Sequence, residues 1–131
     1  MRDKFAIDTN ILVYAINKKS PKHNKAASFL DKARKKDAAI ALRSLAELYN
    51  MVNQKDRANN KLVREFIEEI KHGGNFQILK TDEGALDQSI QKENNFWDNL
   101  IENTVIENGY STIYTENTSD FKDINALNPF K

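Results

Sequence analysis

The sequence predicts an α/β fold: one domain with a central parallel sheet of four to five strands flanked by helices. Three observations predict it. Short apolar runs, too short for helices, alternate with longer segments whose apolar residues recur at helical spacing. Glycine, asparagine and proline punctuate the joints between the two kinds of segment. The 131 residues suit one domain and hold no repeat, low-complexity tract or linker, so the domain is read as spanning residues 1–131. Strands alternating with helices are joined by crossovers, which implies parallel pairing with helices on both faces.

Phe5-Ala6-Ile7 is the first strand, ending at Asp8-Thr9-Asn10, and Ile11-Leu12-Val13-Tyr14 begins a helix. Ser20-Pro21 turns the chain into a helix over 22–36. There Ala26, Ala27, Phe29, Leu30 and Ala33 form one apolar stripe, with the lysines mostly opposite. Ala38–Leu42 is the second strand, and Ser44 starts a helix carrying Leu45, Leu48, Tyr49 and Val52. An amphipathic helix covers 58–71 with Leu62, Phe66, Ile67 and Ile70 inward, and His72-Gly73-Gly74-Asn75 ends it. Phe76–Leu79 is the third strand. Thr81 is expected to cap the next helix, and Asn95 another over 96–108, stopped by Gly109. Thr112–Tyr114 is the fourth strand and Ile124–Leu127 a short fifth, closed by Asn128-Pro129. Trp97 is expected to pack in the core or at the start of its helix, with a base-stacking platform as the alternative, and His23 and His72 to lie on the surface.

Composition narrows the function classes. The chain has no cysteine, which excludes disulfides and thiolate metal sites and fits a reducing cytoplasm. No signal-peptide core follows Met1-Arg2-Asp3-Lys4, and no apolar run approaches the ~20 residues that span a bilayer. A cytoplasmic protein without membrane contact is expected. Residues 1–80 hold 17 Lys/Arg against 9 Asp/Glu, and residues 81–131 hold 3 against 10. Balances of +8 and −7 thus make up the net +1. The basic peak runs from Lys18 to Lys36 with Asp31 its only acid. Such a stretch suits a polyanion through phosphate contacts; a solvated helix face is the alternative.

Three acids stand where a parallel sheet would gather them. Asp8 follows the first strand, Glu47 lies early in the helix after the second, and Asp98 lies in the first turn of the helix after Asn95. Strand C-termini and the following helix N-termini share one edge, where ligands bind in open α/β sheets. Each acid also has a structural explanation. Ser44 and Glu47 have capping-box spacing, Asp98 suits a helix dipole, and Asp8 suits a turn or cap. Taken together, three acids at one edge would repel unless a cation sat among them. A hard divalent ion takes oxygen ligands, polarises a phosphoryl oxygen and acidifies a water.

The segments around these acids resemble those of PIN domains. They are FAIDTNILVY at Phe5–Tyr14, SLAELYN at Ser44–Asn50, FWDNLI at Phe96–Ile101, YTEN at Tyr114–Asn117, and Asn128-Pro129-Phe130. They occur in the family's order and span nearly the whole chain, and the subgroup they are most similar to is the VapC-type toxins of toxin–antitoxin pairs. The resemblance implies a Rossmann-like PIN fold and a Mg²⁺- or Mn²⁺-dependent endoribonuclease that hydrolyses RNA phosphodiester bonds. It also implies a small cognate antitoxin that blocks the site, and a homodimer. Carried over by position, Asp8, Glu47 and Asp98 become the catalytic, metal-holding acids, with Thr9, Asn10, Thr115 and Glu116 as support. Lys22, Lys25, Arg34 and Lys35 become candidate RNA contacts.

The chain departs from the subgroup at one place. Thr115-Glu116-Asn117 stands where relatives often have Thr-Glu-Asp, so Asn117 would offer the metal a neutral oxygen. Asp120, three residues on, is expected in a surface loop, with a swing into the site as the alternative, and Glu116 is expected to point elsewhere. The departure favours an alternative: a catalytically weak or inactive PIN-like module that binds RNA or an antitoxin. Two other α/β classes fit poorly. A phospho-acceptor receiver needs paired acids after the first strand and an Asp after the third, and a haloacid-dehalogenase phosphatase needs an Asp where Asn10 stands.

Overall fold

The computed structural model describes residues 4–55, 57–92 and 94–131; the first three residues of the expected domain lie outside them. In chain order the elements are β1 (Lys4–Ile7), α1 (Thr9–Ile16), α2 (His23–Ala33), β2 (Asp37–Ala41), α3 (Leu42–Lys55), α4 (Asn60–His72) and β3 (Phe76–Leu79). Then follow α5 (Glu83–Ile90), α6 (Phe96–Glu107), β4 (Thr112–Tyr114) and β5 (Asn125–Leu127), with short 3₁₀ turns at Arg57–Asn59 and Thr118–Asp120. The five strands form one sheet in the order β3-β2-β1-β4-β5, and every pairing is parallel. Residues 4–7 pair with 37–40 in register, and Ile7 faces Tyr114 on the other side. The expected α/β fold is what forms.

Alternation along the strands builds two cores, because successive side chains leave opposite faces of a sheet. Phe5, Ile7, Ala38, Ile40 and Phe76 join Leu12, Leu30, Leu48, Val63 and Ile70 on one face. Ala6, Ala39, Leu79 and Ile113 meet Ile101 and Val105 of α6 on the other. Leu48 is fully buried in the first core. Leu48→Ala is expected to lower the unfolding free energy by about 2–5 kcal/mol, read as a fall in the urea midpoint at constant slope. A loss below ~1 kcal/mol would show that this core does not hold α3 against the sheet.

Several local expectations are corrected. Helix α3 starts at Leu42, so Ser44 lies inside its first turn rather than at a cap. Its hydroxyl is buried without a hydrogen-bond partner, and no capping box engages Glu47. Asp82, not Thr81, caps α5 by accepting from the Ala85 N–H at 2.8 Å, while Thr81 bonds Thr104. Asn95 occupies the cap position of α6 in a left-handed conformation, with no side-chain cap bond. In α4 the buried face is set by Val63 and Ile70, and Leu62 stays 43% exposed. Gly74 takes the left-handed conformation after α4 (φ 76°), whereas a Cβ at Gly73 would meet the Glu69 carbonyl oxygen at 2.5 Å. Trp97 is 53% exposed and not packed inside. Among the described residues, no helix is long and apolar enough to cross a membrane.

Candidate active site

The strand order reverses between β1 and β4: β2 and β3 extend the sheet to one side of β1, and β4 and β5 to the other. Loops leaving the C-terminal ends diverge at such a point and leave a crevice. Asp8 leaves β1 and Thr115–Asn117 leave β4 at this crevice. The Asp8 N–H donates to the Tyr114 carbonyl at 2.9 Å, extending the pairing by one bond. Asp8 caps α1, its Oδ1 accepting from the Thr9 N–H at 2.8 Å. Its Oδ2 accepts from the Thr115 hydroxyl at 2.8 Å. Thr115 is fully buried, and its Oγ1 also accepts from Asn10 Nδ2 at 3.3 Å and from the Asn117 N–H at 3.1 Å. One donor and two lone pairs are thereby all used. Asn10 Oδ1 accepts from the Glu116 N–H at 3.3 Å, closing the network.

Asp8, Glu47, Asp98 and Asn117 line one cavity of about 360 Å³, with Thr9, Asn10, Tyr14, Met51, Lys55 and Ile101. Glu47 Oε1 accepts from the Thr9 hydroxyl at 3.4 Å and lies 3.9 Å from Arg43 Nε. All three acids hold their protons above the usual carboxylate range. For Asp8 the cause is burial, partly offset by the bonds from Thr115 and Thr9, then the charges of Asp98 and Asp120. For Glu47 it is burial, opposed by Arg43 and reinforced by Asp8 and Asp98. For Asp98 it is burial, then Asp120. Buried negative charge facing negative charge favours a cation. The acids share the cavity without closing up: among the described residues, no three His, Asp or Glu are grouped so as to hold a metal ion by themselves.

Asp120 lies closer to the acids than the surface loop expected for it. Its charge reaches both Asp8 and Asp98 from the 3₁₀ turn after Asn117. The loop carrying it is tied down where buried Glu102 accepts from the Asp123 N–H at 3.0 Å and Lys92 bonds Asp123 at 2.6 Å. Local sequence gives no sign of that folding-back. A signal for the other omitted residues was present: Glu47, Met51 and Lys55 stand four apart on one helix, hence on one face.

Other expected residues lie away from the cavity. Glu116 does not line the cavity: it accepts from the Tyr14 hydroxyl at 2.7 Å and pairs closely with Lys22. Lys22 and then Tyr14 hold its carboxyl below the usual range. The Lys22 ammonium also stands over the Tyr14 and Phe130 rings. Lys25 is exposed on α2. Arg34 pairs with Glu69 at 2.8 Å and covers Phe76, the first residue of β3, so it sits at the opposite edge of the sheet from the acids, with Lys35 next to it.

No curated protein matches the chain. Among solved structures, it is similar to FitAB bound to an IR36 DNA fragment, with a TM-score of 0.75 and 20% identity over 97% of this chain and 96% of that one. A toxin–antitoxin complex from Klebsiella pneumoniae aligns with a TM-score of 0.70 and 18% identity over 98% and 99%. VapC20 of Mycobacterium tuberculosis, a toxin cleaving the sarcin–ricin loop, aligns with a TM-score of 0.66 and 11% identity over 84% and 87%. The family model of the PIN domain matches residues 5–127, nearly the whole length, and the chain therefore belongs to the PIN-domain family.

Proposed function

We propose that this chain is a divalent-metal-dependent endoribonuclease, using Mg²⁺ or Mn²⁺ to hydrolyse RNA phosphodiester bonds, and is the toxin of a type II toxin–antitoxin pair acting in the cytoplasm. The observation that carries this reading is the shared cavity of Asp8, Glu47 and Asp98, in which all three acids are held above the usual carboxylate range. The donor chemistry fits a hard cation, since every candidate ligand is an oxygen. Mg²⁺ typically takes only one or two carboxylates and completes its shell with waters and phosphate oxygens. A tight three-acid cluster is therefore unnecessary. Asp8, Glu47 and Asp98 would hold the ion, with Asn117 offering a neutral oxygen beside them.

When bound, the cation supplies positive charge that polarises a phosphoryl oxygen and acidifies a water. The chain's own groups do the rest. Thr9 and Thr115 fix both oxygens of Asp8, so the carboxylate is oriented before any ligand arrives. The Thr9 hydroxyl donates to Glu47 Oε1 at 3.4 Å, so the second carboxylate is also positioned before an ion arrives. Lys55 at the cavity wall offsets charge on the phosphate. Lys22 and Lys25, at the start of α2, would draw RNA toward this edge by salt-sensitive attraction, with Arg34 and Lys35 serving more distant backbone.

An antitoxin partner is supported by the similar structures, one of which is a toxin–antitoxin complex. The surface suited to it is the groove between α3 and α4, about 890 Å³, floored by Leu42, Leu45, Tyr49 and Ile67 and rimmed by Lys61, Arg64, Glu65 and Glu68. An apolar floor with a charged rim fits an amphipathic helix. A homodimer forms part of the same proposal.

A second reading, a PIN-like module that binds RNA or an antitoxin without cutting, is favoured by Asn117 and by the open spacing of the acids. One experiment separates the two. Purified protein is incubated with unstructured RNA in Mn²⁺, in Mg²⁺ and in EDTA. Cleavage with either metal that stops in EDTA is expected. Binding without cleavage in either metal would establish the second reading.

A further inference from the structure

We propose that Trp97 and Arg43 form a stacking platform beside the acidic cavity, which receives an unpaired RNA base next to a backbone phosphate that enters beside Arg43 Nε. This inference rests on the nuclease reading and names a further residue of the same site. Trp97 is 53% exposed, although it lies in the first turn of α6 directly beside Asp98. An indole left in water forgoes the stabilisation that burial would give it. The ring is nevertheless held in place from two sides. Phe96 meets it edge-on, with centroids 4.9 Å apart and planes 72° apart. The Arg43 guanidinium lies 3.9 Å from its centroid.

Arg43 ties this ring to the acids. Its Nε lies 3.9 Å from Glu47 Oε1, too far for a hydrogen bond, and is buried with no hydrogen-bond partner. A buried N–H without a partner is costly, and an anionic oxygen entering beside Glu47 would satisfy it. A guanidinium that lies over an aromatic ring and beside Glu47, which lines the cavity next to Asp98, matches the two parts of a nucleotide. Base–aromatic stacking tolerates any base, because every base has a π-face. It does require an unpaired base, since bases within a duplex already stack on each other. The platform would therefore favour single strands, loops and bulges and place one base without reading its identity. A protein partner is the less suited occupant, because the site joins a cation and carboxylates in the way a phosphate with bound metal requires.

Trp97 is the only tryptophan in the chain, so its emission reports on the platform alone. The test uses full-length protein in Mn²⁺, read by stopped flow before the oligomer is cut. An unpaired hexaribonucleotide, the same oligomer with abasic residues, and a duplex are titrated in turn. Quenching by the unpaired oligomer and little by the other two is expected. Labelled-RNA anisotropy is then compared among the unaltered protein, Trp97→Phe and Trp97→Ala, with thermal melts confirming that each is folded. Trp97→Ala should weaken binding roughly tenfold or more, the scale of one base–aromatic stack, and raise KM more than it lowers kcat. Trp97→Phe should keep most of the affinity. Cleavage by the unaltered protein with no quenching, or an unchanged KM in Trp97→Ala, overturns the platform and leaves the nuclease reading intact. A blue shift with protein concentration and no response to RNA assigns the ring to a contact between copies, which also overturns it. Failure of the unaltered protein to bind or cut RNA overturns both.

Discussion

Asp8→Asn is expected to lower metal-dependent RNA cleavage by on the order of a hundredfold or more, with the metal-free protein melting within a few degrees of the original. The size follows from removing a single electrostatic group aimed at charge that develops in the transition state. The stability side can be argued because asparagine caps a helix as well as aspartate does. Its Oδ1 can still accept from the Thr9 N–H, the bond Asp8 makes at 2.8 Å. The bond from Thr115 loses its acceptor, at about 1 kcal/mol. Against that, a buried charge opposed by Asp98 and Asp120 is removed. A large drop in melting temperature with cleavage preserved would make Asp8 a cap and nothing more. The parallel changes Glu47→Gln and Asp98→Asn should also reduce cleavage.

The pH response carries the same logic with a definite sign. Asp8, Glu47 and Asp98 hold protons more tightly folded than unfolded. The metal-free protein is then most stable where they are protonated and loses stability as pH rises through their raised values. Cleavage needs them ionised and holding the cation, so activity should fall on acidification as protons compete with the metal for the carboxylates. Opposite slopes for metal-free melting temperature and activity are expected, and parallel slopes would contradict the assignment.

Asp120→Asn is expected to weaken cation binding while stabilising the metal-free protein at neutral pH. Asp120 is the charge that, after burial, raises Asp98, and it also raises Asp8. Neutralising it lowers the attraction for a divalent ion and the repulsion within the empty site together. Asn117→Asp should act in the reverse sense. Asn117 lines the cavity, so a carboxylate there adds charge beside Asp98. It should tighten metal binding and lower the metal-free melting temperature, with metal restoring the loss. Binding to the folded state alone stabilises by mass action, about 2.7 kcal/mol at a hundredfold excess over Kd. A melting series in EDTA and in graded Mn²⁺ measures both quantities for both variants. If Asp120→Asn leaves the metal midpoint unchanged while Asn117→Asp shifts it, Asn117 is the side chain nearest the ion, as the sequence expectation had it.

The sequence by itself determined the five strands, the helices between them, and the one edge at which Asp8, Glu47 and Asp98 meet. Those follow from pattern and topology: short apolar runs become strands, their alternation with helices forces parallel crossovers, and residues just after parallel strands share an edge. What it could not decide depended on contacts between distant residues or on the placement of single turns. Ser44 reads as a cap until β2 is seen to run straight into α3, which moves the helix start to Leu42 and frees Glu47 for the cavity. Asp120 reads as surface until Glu102 holds its loop against α6. Trp97 reads as core because of its hydrophobicity, yet neighbouring Phe96 and Arg43, 54 positions away, hold it beside the cavity. The basic stretch reads as one feature, but a helix rising 1.5 Å per residue carries Lys22 and Arg34 about 18 Å apart, to opposite edges of the sheet. Local pattern sets which elements form, because each is stabilised within a few residues. Which charges face one another is set only when those elements pack.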